Sequence, residues 1–167
     1  MIGVPARAGS VLCMLCTACA SPRAPGQNGL AIADTVPVIV LERESCRGTC
    51  PVYRLALFSD GRAAFTGVRH VTPLGADSTR IARADVTTLR DGIAQTDFAS
   101  LPERIEYGTP SCGSYATDLP TVVITAVLPS GTHRVRFDEG CRNVPPMLSL
   151  LAARIDSTAG ITRWTHP

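Results

Sequence analysis

The chain has 167 residues, 45% of them hydrophobic, which is enough for one domain with a buried core and too few for two. Its sixteen basic residues are all arginine, they are scattered among the acidic ones, and the formal net charge is +2. Nucleic-acid-binding proteins need a clustered basic face, so we predict no binding to DNA or RNA.

Residues 1–19 predict an export signal that ends in a lipidation site. One early charge, Arg7, precedes a short apolar stretch and then small residues. This order is typical of a secretory signal peptide, and the stretch is well short of the ~20 residues that a transmembrane helix needs. Cys19 follows small residues as in a bacterial lipobox, although Leu15 lies one position further upstream than that pattern favours. We therefore predict an exported protein of the bacterial cell envelope or periplasm, with a lipid anchor on Cys19.

Two alternatives to the lipid anchor remain open. Ala18-Cys19-Ala20 also fits the A-x-A site of ordinary signal peptidase, which would release a soluble secreted protein. A cytosolic protein with a misassigned start is the other alternative. Residues 20–36 are rich in proline, glycine and small residues, which predicts a flexible tether ahead of a single domain at residues 37–165.

The first half of this domain predicts an antiparallel meander. Asp60-Gly61 is a hairpin turn signal between two strand-like runs. Apolar content or alternation predicts four strands, the last interrupted by Pro73 and Gly75, at residues 38–41, 51–58, 62–66 and within 69–81.

The second half predicts a helix, a hairpin and a second helix. Asp85 stands at an N-cap position ahead of apolar residues at helical spacing, which continue to about Thr96. An irregular stretch follows at residues 102–120, and then two hairpin strands at 121–128 and 132–137. The last segment, residues 145–160, is a helix that proline opens and glycine ends. The predicted fold is α+β, an antiparallel sheet in ββββ-α-ββ-α order with two helices packed on it.

Four cysteines follow the signal: Cys46, Cys50, Cys112 and Cys141. An even number in an exported chain indicates two disulfides. Cys46 and Cys50 share one loop, and the other two flank the predicted hairpin, so we predict the pairs 46–50 and 112–141. A redox-active pair would be the tighter C-x-x-C, and a zinc site would need a second closely spaced Cys/His pair. Redox or metal chemistry at Cys46 and Cys50 stays an alternative, but we predict no metal and no cofactor.

Short motifs are spread over much of the domain. They are Glu42-Arg43, the C-x-G-T-C-P-x-Y run from Cys46 to Tyr53, Asp60-Gly61, Phe65-Thr66-Gly67, Asp118-Leu119-Pro120, Ile155-Asp156 and Trp164. Over residues 37–165 the chain resembles an uncharacterised bacterial family, a domain of unknown function that is common in predicted lipoproteins. The resemblance implies an α+β module of the cell envelope and carries no catalytic residue.

Catalytic motifs are absent from the sequence. It has no G-x-S-x-G elbow, H-E-x-x-H pair, Walker loop or Rossmann glycine pattern. A triad of His70, Asp118 and a serine can be drawn, but its composition is unspecific. We therefore predict no catalytic residues and favour a non-enzymatic protein.

The candidate contact surface is Arg47, Tyr107, Tyr115 and Asp118, since arginine and tyrosine are frequent at interfaces. Each has a plainer interpretation: a solvated arginine, tyrosines packed over the sheet edge, and an aspartate that caps its own loop. The leading hypothesis is a disulfide-stabilised envelope lipoprotein domain that binds a protein or a cell-wall partner. The alternatives are a thiol–disulfide or peroxide-responsive protein using Cys46 and Cys50, and a hydrolase with an unfamiliar site.

Overall fold

A computed structural model describes residues 35–165 of the chain. The predicted signal, the lipidation site Cys19 and nearly all of the predicted tether lie outside these residues. The described strands are β1 (Ile39–Arg43), β2 (Val52–Leu57), β3 (Arg62–Arg69), β4 (Gly75–Arg80), β5 (Arg104–Ile105), β6 (Thr121–Leu128) and β7 (Gly131–Asp138). The helices are α1 (Arg83–Ala94), α2 (Pro146–Ala159) and α3 (Thr162–Thr165), with a 3-10 helix at Asp97–Ser100. Within this part of the chain, no helix has both the length and the apolar character needed to cross a membrane.

The strands form one seven-stranded sheet in the order β4-β3-β2-β1-β6-β7-β5. All neighbours are antiparallel except β5, which runs parallel to β7. The sheet is therefore mixed, and the predicted antiparallel fold in ββββ-α-ββ-α order is wrong. The prediction failed because β5 has only two residues inside a stretch interpreted as a loop, and α3 has only four. Neither is long enough to show a period.

The helices cover one face of the sheet. Side chains alternate between the two faces of a strand, and on β1 and β2 the alternate residues Ile39, Leu41, Leu55 and Leu57 are fully buried beneath the helices. The opposite face carries polar residues and a small separate cluster that includes Phe58. The core therefore lies between the sheet and the helix layer, and the other face is the open face.

The ends of the two long helices follow different rules. α2 starts at a proline and ends at Gly160, whose φ of 65° is the left-handed conformation that glycine adopts easily. α1 starts at Arg83 after Ala82, with no side-chain cap, so the predicted N-cap role of Asp85 is wrong. Asp85 lies in the first turn instead, where a negative charge favours the positive end of the helix dipole.

Candidate functional site

Several long loops leave the sheet at the same end. Arg43, the last residue of β1, faces Tyr53 near the start of β2 and Val122 near the start of β6. Residues 44–51 and 106–120 therefore meet beyond these strands, and we call this the loop end of the domain. All four predicted contact residues lie there.

The first disulfide closes a small ring at the loop end. Cys46 and Cys50 are bonded, with their Cα atoms 5.8 Å apart. Inside the ring, the Arg47 N–H donates to the carbonyl oxygen of Asp118 at 3.3 Å, and the Arg47 guanidinium lies 3.6 Å from the Asp118 carboxylate. The Arg47 side chain is 82% exposed, so this ion pair contributes little to stability. The Asp118 carboxylate contacts the Arg47 guanidinium. This contact differs from both roles considered from the sequence, which were a cap of its own loop and a triad with His70.

The second disulfide pins the long loop to the end of β7. Cys112 and Cys141 are bonded and buried, with Cα atoms 4.7 Å apart, so both predicted disulfides are present. Beside this bond the Tyr115 hydroxyl donates to Asp138 at 3.0 Å, and the Tyr107 ring lies 5.0 Å from the Tyr115 ring. Tyr115 is half-buried, whereas Tyr107 is 76% exposed. Disulfides persist in oxidising compartments, so the two bonds indicate an exported protein.

The Asp138 contact and the Asp118 charge act on the same phenol. Accepting the hydrogen bond, the Asp138 carboxylate raises the pKa of Tyr115, and the nearby negative charge of Asp118 adds to this effect. Tyr115 therefore lies near Tyr107 and within reach of the charge of Asp118. We call the side chains of Arg47, Tyr107, Tyr115 and Asp118 the loop surface, in which Tyr115 is half-buried and the other three are exposed.

A buried polar network lies beneath the loop end, and sequence reasoning missed it. The guanidinium of Arg43 donates from Nε and Nη2 to Asp156 Oδ2, at 2.9 and 2.8 Å. The Tyr53 hydroxyl donates to Asp156 Oδ1 at 2.6 Å and accepts from Arg43 Nε at 3.1 Å. Asp156 belongs to α2, whereas the other two residues belong to β1 and β2. The network therefore ties the last helical turns of α2 to the central strands.

Burial governs the titration of this network. Desolvation, helped by the charge of Asp156, raises the pKa of Tyr53 far above its ordinary value, so the phenol stays protonated and donates. Desolvation also raises the pKa of Asp156, against the opposing effect of Arg43 and the Tyr53 hydrogen bond. Perturbed pKa values often mark functional sites, but they also mark structural ion-pair networks.

Two observations favour the structural interpretation. No buried side-chain nitrogen or oxygen among residues 35–165 lacks a hydrogen-bond partner, so the network leaves no orphaned group aimed at a ligand. The pocket beside it has a volume of about 280 Å³ and is lined by Arg43, Pro51, Tyr53, Asp156, Ile161 and Thr165. Ligand pockets usually measure roughly 300–1,000 Å³. The hydrogen bonds of the network tie the helix to the sheet.

A second ion cluster lies on the open face. Arg136 of β7 donates to Glu44, which follows β1, and to Glu106, which follows β5, while Arg104 donates to Glu106 at 2.6 Å. Partial burial raises the pKa of Glu106, but the two arginines outweigh it and hold that pKa below its ordinary value. The cluster therefore connects the end of β1, which lies beside β6, with the end of β5, which lies beside β7. Residues 35–165 contain no group of three His, Cys, Asp or Glu side chains placed to hold a metal ion.

Comparison with known proteins gives one positive result. The chain matches no curated protein and no solved structure. Residues 37–159 match the family described as a domain of unknown function, DUF6438. Because the match spans most of the chain and includes both disulfides, the protein belongs to the DUF6438 family.

Proposed function

We propose that this protein is a non-enzymatic cell-envelope lipoprotein whose domain binds a partner protein through the loop surface. The observation that carries the proposal is Tyr107, a large aromatic side chain left 76% exposed on a loop pinned by a disulfide. Tyrosine and arginine are enriched among the residues that contribute most to protein interfaces. Tyr107 and Arg47 would supply one of each.

Rigidity supports the same proposal. The 46–50 and 112–141 disulfides and the Tyr115–Asp138 hydrogen bond hold the loops that present these side chains. A surface that is fixed before binding loses less conformational entropy when the complex forms. The loop surface also carries the exposed Arg47–Asp118 ion pair, and a polar, solvent-accessible rim is a usual part of a protein interface.

Site-specific photo-crosslinking in cells tests the binding proposal. A photoreactive amino acid is placed at Tyr107 or Arg47 of the full-length chain, and at Leu150 as the matched control, because Leu150 is 71% exposed on α2 and lies in the groove between α1 and α2. We expect a discrete adduct from the first two positions and none from Leu150, and we expect Arg47→Ala to weaken the Tyr107 adduct.

Two outcomes would contradict a partner protein. Equal adducts from all three positions would show that the surface has no specificity. Cosedimentation with purified cell-wall material that Tyr107→Ala abolishes, without any protein adduct, would identify a cell-wall partner instead.

The lipid anchor and the redox alternative each have their own test. Cys19→Ala should move the protein from the membrane fraction to the soluble fraction, and an unchanged distribution would contradict lipidation.

Thiol titration at a glutathione-like potential should leave Cys46 and Cys50 oxidised, because structural disulfides resist that reductant. Ready and selective reduction of this pair would favour the redox-responsive alternative.

A further inference from the structure

Three arginines meet at the end of the sheet opposite the loop end. Arg62 begins β3, Arg80 ends β4 and faces Arg62 across the ladder, and Arg83 begins α1. The β2–β3 turn beside them contains Asp60. We call these three arginines and Asp60 the turn cluster, and this end of the sheet the turn end.

The turn cluster converges on one residue of the turn. Arg80 Nη1 and Arg83 Nε both donate to the carbonyl oxygen of Asp60, at 3.4 and 3.2 Å. The Arg62 guanidinium lies over the ring of Phe58, 3.8 Å from its centroid. The Arg62 N–H donates to the Asp60 carboxylate and, with the charges of the three arginines, lowers the pKa of Asp60. Three positive charges are therefore held around a single ionised carboxylate.

The turn cluster keeps a net charge of +2 and most of its hydrogen-bond donors. A guanidinium group has five N–H donors, and the contacts with Asp60 occupy a minority of those on Arg80 and Arg83. The Arg80 side chain is 71% exposed, and Arg83 is exposed as well. Asp85, two residues beyond Arg83, lines the groove against Arg154 of α2 and so does not neutralise the cluster.

The chain enters the domain at this same end. The Val38 N–H, just before β1, donates to the carbonyl oxygen of Leu57 at the end of β2, so the chain reaches the sheet beside the β2–β3 turn. The loop end lies at the other end of β2, which at about 3.3 Å per residue is roughly 20 Å away. A lipid anchor on Cys19 would therefore join the domain at the turn end.

We propose that the turn cluster binds the phosphate groups of anionic phospholipids and so orients the anchored domain on the membrane. The proposal rests on the lipid anchor of the proposed function. Guanidinium groups bind phosphate oxygens through paired hydrogen bonds, and two of them lie together against the carbonyl oxygen of Asp60. The turn end then faces the membrane, and the loop surface faces away from it toward the partner protein.

Charge and position together select a lipid surface as the occupant. Basic residues next to a membrane anchor are attracted to anionic lipid headgroups. This attraction fades over a Debye length, about 8 Å at physiological ionic strength. It therefore acts on the end of the domain that the anchor brings to the membrane, and it leaves the loop end in solution.

Vesicle cosedimentation separates the turn cluster from the anchor, because it uses the full-length Cys19→Ala protein of the soluble fraction. We expect this protein to bind vesicles of phosphatidylethanolamine and phosphatidylglycerol and to ignore vesicles of phosphatidylcholine. Arg80→Gln with Arg83→Gln should lower the partition coefficient roughly 25-fold, because one arginine near an anionic surface changes it about five-fold.

A matched control removes two charges from the loop end. Arg69, opposite Val52, and Arg142, after Cys141, are both exposed there. Arg69→Gln with Arg142→Gln should change the partition coefficient less than about two-fold, since these charges lie more than a Debye length from the bound surface. Equal losses from the two double variants, or no binding to anionic vesicles, would overturn the proposal. Neither result depends on lipidation of Cys19, so the two proposals fail separately.

Inorganic phosphate distinguishes a lipid surface from a site for a free anion. At equal ionic strength, phosphate should displace the protein from anionic vesicles no better than chloride does. Selective displacement by phosphate would overturn the proposal in favour of a small-anion site.

Quenching by lipid-borne quenchers tests the orientation of the lipidated protein. A fluorophore on Ser130→Cys, in the β6–β7 turn at the turn end, should be quenched several-fold more than one on Ser114→Cys at the loop end. Equal quenching at the two positions would contradict the orientation.

Discussion

The substitution Tyr53→Phe tests whether the buried network stabilises the domain. It removes one hydroxyl group that donates to Asp156 at 2.6 Å and accepts from Arg43 at 3.1 Å. The ring itself remains and keeps its contact with Phe65, whose centroid lies 5.5 Å away. The change therefore isolates the polar contribution from the packing of the side chain.

The structure sets the size of the expected loss. Tyr53 is 3% exposed and Asp156 is 8% exposed, so water does not readily replace the missing hydroxyl. A hydrogen bond to a charged group contributes about 1.5–3 kcal/mol, and a buried acceptor left without its donor costs a similar amount. We expect Tyr53→Phe to lower the free energy of unfolding by about 2 kcal/mol, which corresponds to a fall in Tm of roughly 5–10 °C for a domain of this size.

Urea titration and calorimetry of the oxidised protein measure this loss, with Tyr107→Phe as the matched control. Tyr107 is 76% exposed, and exposed substitutions of this kind usually change stability by less than about 0.5 kcal/mol. A Tyr53→Phe protein within about 0.5 kcal/mol of the wild type would refute the reasoning. The phenol would then contribute only its ring, and the tie between α2 and the sheet would rest on the arginine alone.

Three further outcomes are expected from the same measurements. Removing Cys112 with its partner should cost about 3.5 kcal/mol and removing Cys46 with its partner about 2 kcal/mol, because the bonds join residues 29 and 4 apart, and equal losses would contradict this ranking. Gly140→Ala should lower the denaturation midpoint, because a Cβ there would collide with the carbonyl oxygen of Ala116. Gly92→Ala, which has open space around it in α1, should raise the free energy of unfolding by about 0.5–1 kcal/mol. An increase in stability from both substitutions would show that the structure around Gly140 adjusts to the new methyl group. The lowered pKa of Glu106 stabilises the fold above its ordinary value of 4.5, and this stabilisation is lost as the pH falls through the lowered pKa, so Glu106→Gln should flatten the acid limb of a stability–pH curve, and an unchanged limb would contradict the role of its arginine contacts.

The sequence predicted the elements whose signal is local. The long strands show alternation or β-branched runs, and six of the seven observed strands overlap predicted segments. α2 was also bounded correctly by its first proline and by Gly160. The disulfide pairing followed from the hairpin, because its two ends lie together at one edge of the sheet. These inferences needed only neighbouring residues and one hairpin.

The features that were missed depend on contacts distant in sequence. Asp156 was one acidic residue on a helix whose predicted apolar stripe is Met147, Leu151 and Ile155, joined by Leu148. The structure buries Leu148 and Ile155 of that stripe together with Ala152, Asp156 and Ala159, so the buried side is shifted toward Asp156. Its partners lie 113 and 103 residues away, and no local period records such contacts. A basic residue at the end of an otherwise buried strand, Arg43, was the one signal in the sequence for a buried acidic partner.

The positions of these contacts separate stability from binding within one domain. Tyr53 and Asp156 lie under the loop end, whereas Tyr107 lies on it and is exposed. Loss of Tyr107 should therefore abolish a partner adduct at unchanged stability, and loss of the Tyr53 hydroxyl should lower stability while the disulfides still hold the loops. A single substitution that altered both properties would mean that the loop end and the network beneath it do not act independently.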